Sequence, residues 1–227
     1  MYRIYKTIIL LILLIFPITS TAHVQHYENL NQIEFEIYRN NKHIGKHVFS
    51  FKRINDELIV ESEINFEIKK LGVVLYKYHV EGTEYYKDGK LVKFESKTNQ
   101  NGKEKYVKIK LGGNELVIDG SSFKGKVSPD YLLGTWWNHS IVKAPAQISA
   151  VSGRIIKQEV EFLGKEKLEL VGKSYDTLHF NFSSADQSLT KDKKLNTDVW
   201  YDEKTLNWVK ASFKKKGNWE YRLIKIE

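Results

Sequence analysis

Apolar and polar residues alternate with a period of two along most of this chain. Ile33, Phe35 and Ile37 share one side of a segment whose other side carries Glu34, Glu36 and Tyr38. Strand side chains point alternately to two faces, so this pattern predicts a half-buried strand. Asn40-Asn41-Lys42 turns it into a partner at 44–52, stocked with Val48, Phe49 and Phe51. The cleanest strand covers 58–69: Leu58, Val60, Ile64, Phe66 and Ile68 face one way, and Glu61, Glu63, Asn65 and Glu67 the other. One dry and one wet face is the mark of an antiparallel sheet packed on one side. After a break at Leu71-Gly72, Val74, Tyr76, Tyr78 and Val80 alternate with Lys77, His79 and Glu81. Asp88-Gly89, Asn101-Gly102 and Gly112-Gly113-Asn114 are tight-turn signals. Connections this short force antiparallel neighbours, so the first half is a meander of strands.

The period changes at residues 128–139. Ser128 suits a helix cap and Pro129 its first turn. Leu132, Leu133, Trp136, Trp137 and Ile141 then fall at helical spacing and predict one apolar stripe. Gly134 inside it costs roughly 1 kcal/mol, which favours a short or broken helix, and Ala144-Pro145-Ala146 ends it. Alternation then resumes. Residues 155–162 and 167–171 read as a hairpin across Leu163-Gly164-Lys165. Further strands follow at 178–182, 198–201, 207–213 and 219–226, the last two joined across 214–218. The expected fold is mainly β: a curved antiparallel sheet, a β-roll or open barrel, with one short helix crossing or plugging it.

The first 22 residues have a different character. Arg3 and Lys6 precede an unbroken apolar run from 8 to 16, Pro17 breaks it, and Ser20-Thr21-Ala22 supplies small residues before His23. This is a secretory signal peptide pattern. As a helix, 8–18 would reach only about 16 Å, near half the hydrocarbon core of a membrane. The expected organisation is a signal peptide over 1–22 and one exported domain over 23–227. The chain has no cysteine, so it has no disulfide and no thioether-linked lipid. The expectation is a soluble periplasmic protein, not a lipoprotein, with no stable membrane anchor after cleavage. Formal charge is +8; Arg3 and Lys6 leave with an acid-free leader, so the exported part carries +6. Lysines and glutamates alternate along it, which reads as a solvated surface and gives no nucleic-acid signature.

Several short motifs complete the picture: Ile44-Gly45-Lys46, Tyr86-Lys87-Asp88-Gly89-Lys90-Leu91, Pro129 ahead of Trp136-Trp137-Asn138, and Trp200-Tyr201-Asp202. Together they resemble a group of exported bacterial proteins classed only as domains of unknown function. The resemblance spans nearly the whole exported chain. It implies a curved β-roll or open barrel in the bacterial periplasm and supplies no catalytic residues.

The chemistry on offer is sparse. Of seven histidines, His23 and His26 sit near the expected new N-terminus, His43 and His47 straddle a turn and a strand, and none has zinc-site spacing. No nucleophile elbow or phosphate loop is present, and the carboxylates of 58–69 read as a wet sheet face. No metal and no cofactor are expected. Five tryptophans, thirteen tyrosines and eleven phenylalanines are the richer signal. Most must be core, and the remainder can line a cleft for an apolar or sugar-like ligand. Trp136, Trp137, Tyr76, Tyr78 and Trp200 are the aromatic candidates, with Asn138 and His139 beside them. Three readings follow: a carrier or assembly factor holding a hydrophobic or amphipathic envelope molecule; a hydrolase of envelope polymers using His139 with Asp130 or a neighbouring carboxylate; or an interaction module offering a sheet edge or the Lys214-Lys215-Lys216 tip to a partner.

Overall fold

The computed structural model describes Tyr27 and residues 29–227. The expected leader and cleavage site, with His23 and His26, lie outside the described residues. The first arm of the sheet comprises β1 (Gln32–Arg39), β2 (Lys42–Ile54), β3 (Glu57–Lys70), β4 (Val73–Lys87), β5 (Lys90–Gln100), β6 (Lys103–Gly112), β7 (Glu115–Gly120) and β8 (Lys124–Val127). The second comprises β9 (Leu132–Leu133), β10 (Ala146–Ile148), β11 (Ile155–Leu170), β12 (Lys173–Ser184), β13 (Asn196–Asp202), β14 (Trp208–Lys214) and β15 (Asn218–Ile226).

All fifteen strands form one open, curled sheet. Its order is two meanders joined at their beginnings and ends: β8 back to β1, then β15 back to β9. The seam is the antiparallel ladder of β1 and β15, from Ile33 opposite Ile226 to Arg39 opposite Trp219. Neighbours are antiparallel except β9 and β10, which run parallel. The alternating residues named above supply the inner face. Ile33, Phe35, Ile37, Phe49 and Val60 are fully buried, with Trp208 and Tyr201 across from them. An aromatic side chain buries 150–250 Å², a gross gain of about 4–6 kcal/mol each before entropy is subtracted.

Residues 134–153 hold the curl shut. Ser96 of β5 donates through Oγ to the carbonyl of Ala150 at 2.6 Å, and the Ser122 N–H donates to the carbonyl of Ser152 at 2.8 Å. These bonds tie the second arm across the inside of the first.

The crossing segment is not the continuous helix that its spacing predicts. Leu132-Leu133 form a two-residue strand, Gly134 donates its N–H to the carbonyl of Ile148, and Trp136 takes φ +59°. The helical element of this segment is a 3-10 helix at His139–Lys143, capped by Asn138, whose side chain accepts from the Ser140 N–H at 3.0 Å. Thr135, Trp136, Trp137 and Asn138 are mediocre helix formers, and two tryptophans drawn to different surroundings outweigh one shared stripe. Gly134 has a packing role: a Cβ there would lie 2.6 Å from Oε1 of Gln147.

The predicted hairpin at Leu163-Gly164-Lys165 is also corrected. β11 runs through this point with a bulge, and the chain reverses at Val171-Gly172. Gly164, at φ +126°, gives the bulge its conformation and leaves the strand intact.

Candidate functional site

A cavity of about 240 Å³ lies between the inner face and the crossing segment. β2 contributes His47, β4 contributes Tyr78, and β15 contributes Tyr221; the crossing segment contributes Thr135, Trp136 and Gln147. His47 is there because it is in phase with Phe49 and Phe51 on the buried side of β2. Its ring lies 4.2 Å from that of Phe49 and 5.9 Å from those of Trp208 and Tyr221. Burial holds its pKa down at about 3, so the imidazole is neutral. Burial likewise raises the pKa of the Tyr78 and Tyr221 hydroxyls, which stay protonated.

Two of the residues lining it have a buried ring nitrogen, His47 Nδ1 and Trp136 Nε1, with no hydrogen-bond partner among the described residues. Trp136 holds its left-handed backbone through the Tyr201 hydroxyl, which donates to its carbonyl at 3.0 Å. Its indole meets Trp208 edge-on at 5.6 Å. Left-handed backbone costs a non-glycine residue about 1–2 kcal/mol, and such strain concentrates at functional positions.

Behind the cavity lies a sealed polar knot. Glu84 of β4 is fully buried, yet no cation reaches it among the described residues. The Trp137 indole N–H donates to its Oε1 at 3.0 Å and the Tyr86 hydroxyl to its Oε2 at 2.6 Å. Thr135 adds a side-chain hydrogen bond. Burial raises the carboxyl pKa to about 7 against the pull of these donors. Asn138 hydrogen-bonds Tyr86. Tyr27 accepts from the His139 N–H at 3.0 Å, donates to the Leu206 carbonyl at 3.3 Å, and packs edge-on to Trp137 at 5.2 Å.

The structure thus separates the sequence-predicted site residues. Trp136 and Tyr78 line the cavity. Trp137, Asn138 and His139 are buried; the first two belong to the knot, and the His139 ring is packed against Tyr201 at 4.7 Å and Phe180 at 5.9 Å. Asp130 lies in an exposed turn and accepts from the Ser128 hydroxyl at 3.1 Å. Tyr76 stacks on Phe66 at 6.1 Å, towards the sheet end beyond the cavity. Trp200 points to the opposite face, stacked under His179 at 4.1 Å with the Lys210 ammonium 4.6 Å from its ring. His47, Glu84, Thr135 and Tyr221 were missed. The first two were legible from alternation: His47 is in step with Phe49, and Glu84 with Val80 and Tyr86.

A larger hollow of about 620 Å³ lies on the outer side of β2 to β6. Its walls are a solvated face, where exposed pairs such as Lys52–Glu61 and Lys93–Glu95, both at 2.7 Å, contribute little. No group of three or more metal-ligating side chains occurs among the described residues. No helix among them is long and apolar enough to cross a membrane.

The fold has solved counterparts. A β-barrel-like protein of domain of unknown function DUF1849 from Brucella abortus superposes with a TM-score of 0.62 at 11% identity, covering 87% of this chain and 97% of its own. A Bacteroides fragilis protein with a YmcC-like fold, whose description assigns it to export, aligns with a TM-score of 0.38 at 10% identity, over 86% and 94% of the two chains. No curated protein shows significant sequence similarity. The family model described as Domain of unknown function (DUF6134) matches residues 35–224, and the chain belongs to that family.

Proposed function

We propose that this is an exported periplasmic binding protein, a carrier or assembly factor, that holds part of a hydrophobic or amphipathic envelope molecule in the cavity beside Trp136. One observation carries the reading: His47 and Trp136, which line a single aromatic cavity, each have a buried ring nitrogen without a hydrogen-bond partner, Nδ1 and Nε1, that a small shift of the ring would offer to a ligand. An unsatisfied buried polar group costs about 1–3 kcal/mol, and a ligand with suitable polar atoms recovers that cost. The volume is that of roughly eight waters in the liquid, below the range of drug-sized pockets. The bound part is therefore a ring or a short chain segment carrying an oxygen, and the rest of the molecule extends out of the cavity. The leader pattern of residues 1–22 supports export.

Native mass spectrometry of protein purified from its own envelope tests this. The expected result is a bound small molecule of defined mass, extractable with organic solvent and lost on Trp136→Phe. Protein that is consistently empty, whatever the growth condition, overturns the reading.

A further inference from the structure

The strands alternate in direction, so the turns at 40–41, 71–72, 101–102 and 216–217 and the loop between β12 and β13 all lie at one end of the sheet. Contacts confirm the grouping: the Asn218 N–H donates to Oδ1 of Asn40, and residues 191–192 and 214–218 line one shared hollow. Two features coincide at this end.

The first is an apolar tip. The ladder of β2 with β3 ends at Gly45 opposite Phe66, and that of β4 with β5 begins at Tyr78 opposite Gln100. Beyond Lys77, which still bonds Asn101 of the next turn, residues 68–76 run past these ladders as a two-stranded ribbon. Leu71 at its apex is 95% exposed, and Val73, Val74 and Leu75 are exposed beside it. Three other turns put Asn or Asp at the matching left-handed position, Asn55, Asp88 and Asn101, while two put Val171 and Lys216 there. Leu71 holds it at φ +49°, a poor choice for both backbone and solvent.

The second is charge. Lys69 and Lys77 share the single carboxylate of Glu67, leaving Lys70 beside the apex. Lys214, Lys215, Lys216, Lys191, Lys193 and Lys194 crowd the adjoining turn and loop. The opposite end instead mixes charges at its turns, with Asp56, Asp88, Glu115, Asp202 and Glu203 among Lys87, Lys90, Lys173 and Lys204. It too has an exposed apolar apex, Val171, but the strands beneath it are charge-balanced, with Lys167 paired to Asp176 at 3.4 Å.

We propose that the basic end docks reversibly on an anionic membrane surface, with Leu71, Val73 and Leu75 entering the headgroup layer and the surrounding lysines meeting lipid phosphates. An apolar wedge ringed by lysines is the chemistry such a surface recognises, and each lysine near it contributes roughly fivefold in affinity. The inference rests on the surface and not on the cavity, so either reading can fail alone.

The test is sedimentation of the exported protein with phosphatidylcholine vesicles, with and without a quarter phosphatidylglycerol, at low and high salt. Binding to the anionic vesicles alone, lost at high salt, is expected. Leu71→Asp and the triple change of Lys214, Lys215 and Lys216 to Glu should each weaken it at least tenfold. Val171→Asp, at the exposed apolar apex of the other end, should leave it unchanged. Circular dichroism and thermal melting confirm that each variant is folded. No binding by the wild type, equal binding to neutral vesicles, or an unaffected Leu71→Asp overturns the proposal. So does concentration-dependent dimerisation abolished by Leu71→Asp without vesicle binding, which would make a second copy the occupant.

Discussion

The indole nitrogen of Trp137 sits 3.0 Å from Oε1 of Glu84, and this bond fastens the crossing segment to the first arm of the sheet. It joins residues 53 positions apart, inside a shell of Tyr27, Phe51 and Tyr86 rings 5.2–5.6 Å from the indole. A buried carboxylate without a cation depends on its neutral donors. Trp137→Phe keeps most of the ring and deletes one of them. The expected loss is about 2–3 kcal/mol, measured by chemical denaturation. Glu84→Gln should cost less than Glu84→Ala, because its amide oxygen can keep the indole bond while the Tyr86 hydroxyl turns to accept from the amide. In the Glu84→Gln background the penalty of Trp137→Phe should shrink, since a neutral acceptor loses less.

Stability should follow pH along two opposed slopes. Glu84 has a folded pKa of about 7, above its ordinary 4.5. Between those values the unfolded chain has released a proton that the folded chain retains, so rising pH destabilises the fold, by at most about 3 kcal/mol. His47 has a folded pKa of about 3, below its ordinary 6.5. Between those values the unfolded chain binds a proton that the folded chain refuses, so falling pH destabilises the fold, by at most about 5 kcal/mol. From 4.5 to 6.5 the slopes cancel, and a plateau is expected. Melting temperature against pH should fall off on both sides of it. Glu84→Gln should flatten the limb between 6.5 and 7, and His47→Phe the limb below 4.5. A limb that persists unchanged in its variant contradicts the assignment.

Much of the sheet was legible because one face of each strand is dry. Ile33, Phe35 and Ile37, or Leu58 and Val60, repeat every two residues, and the short turns left antiparallel neighbours as the only arrangement. The crossing segment was less legible. Leu132, Leu133, Trp136 and Trp137 have helical spacing, but they meet three different surfaces: β10 for the leucines, the cavity for Trp136 and the Glu84 knot for Trp137. Spacing along the chain carries no record of which partner waits on which side. Tyr27 shows the same limit. Its flanking sequence has no periodicity, and only the return of residues 137–139 and of Leu206 gives its ring and hydroxyl their partners. Glu84 could have been found by extending the alternation of β4 past Val80. Trp200 misled because aromatic character alone does not report which face of a strand a residue occupies.

Trp136→Phe separates ligand recognition from packing. It removes an unpartnered buried N–H, worth about 1–3 kcal/mol, and sacrifices a similar value in contact area against Trp208 and Tyr221. Stability should stay within about 1 kcal/mol of wild type by urea titration. Affinity for the molecule recovered from the native protein should fall about tenfold, read from quenching of the remaining tryptophans. A large loss of stability with unchanged affinity would make Trp136 a core residue only.

Leu71→Asn tests whether the apex is maintained at the expense of the fold. At φ +49° a leucine crowds its own carbonyl, whereas asparagine tolerates this region and can hydrogen-bond locally. The side chain is exposed, so its removal forfeits almost no burial. The substitution should raise stability by about 0.5–1 kcal/mol in equilibrium unfolding. The reciprocal change, Asn101→Leu, puts leucine into the same backbone region at φ +51° in a neighbouring turn and should lower stability by at least as much, because it also removes the Oδ1 that accepts from the Lys77 N–H at 3.3 Å. If both shifts have these signs, leucine at position 71 is unfavourable to the isolated fold. The same Leu71→Asn protein should then bind anionic vesicles less well despite its greater stability, a combination that better folding alone cannot produce.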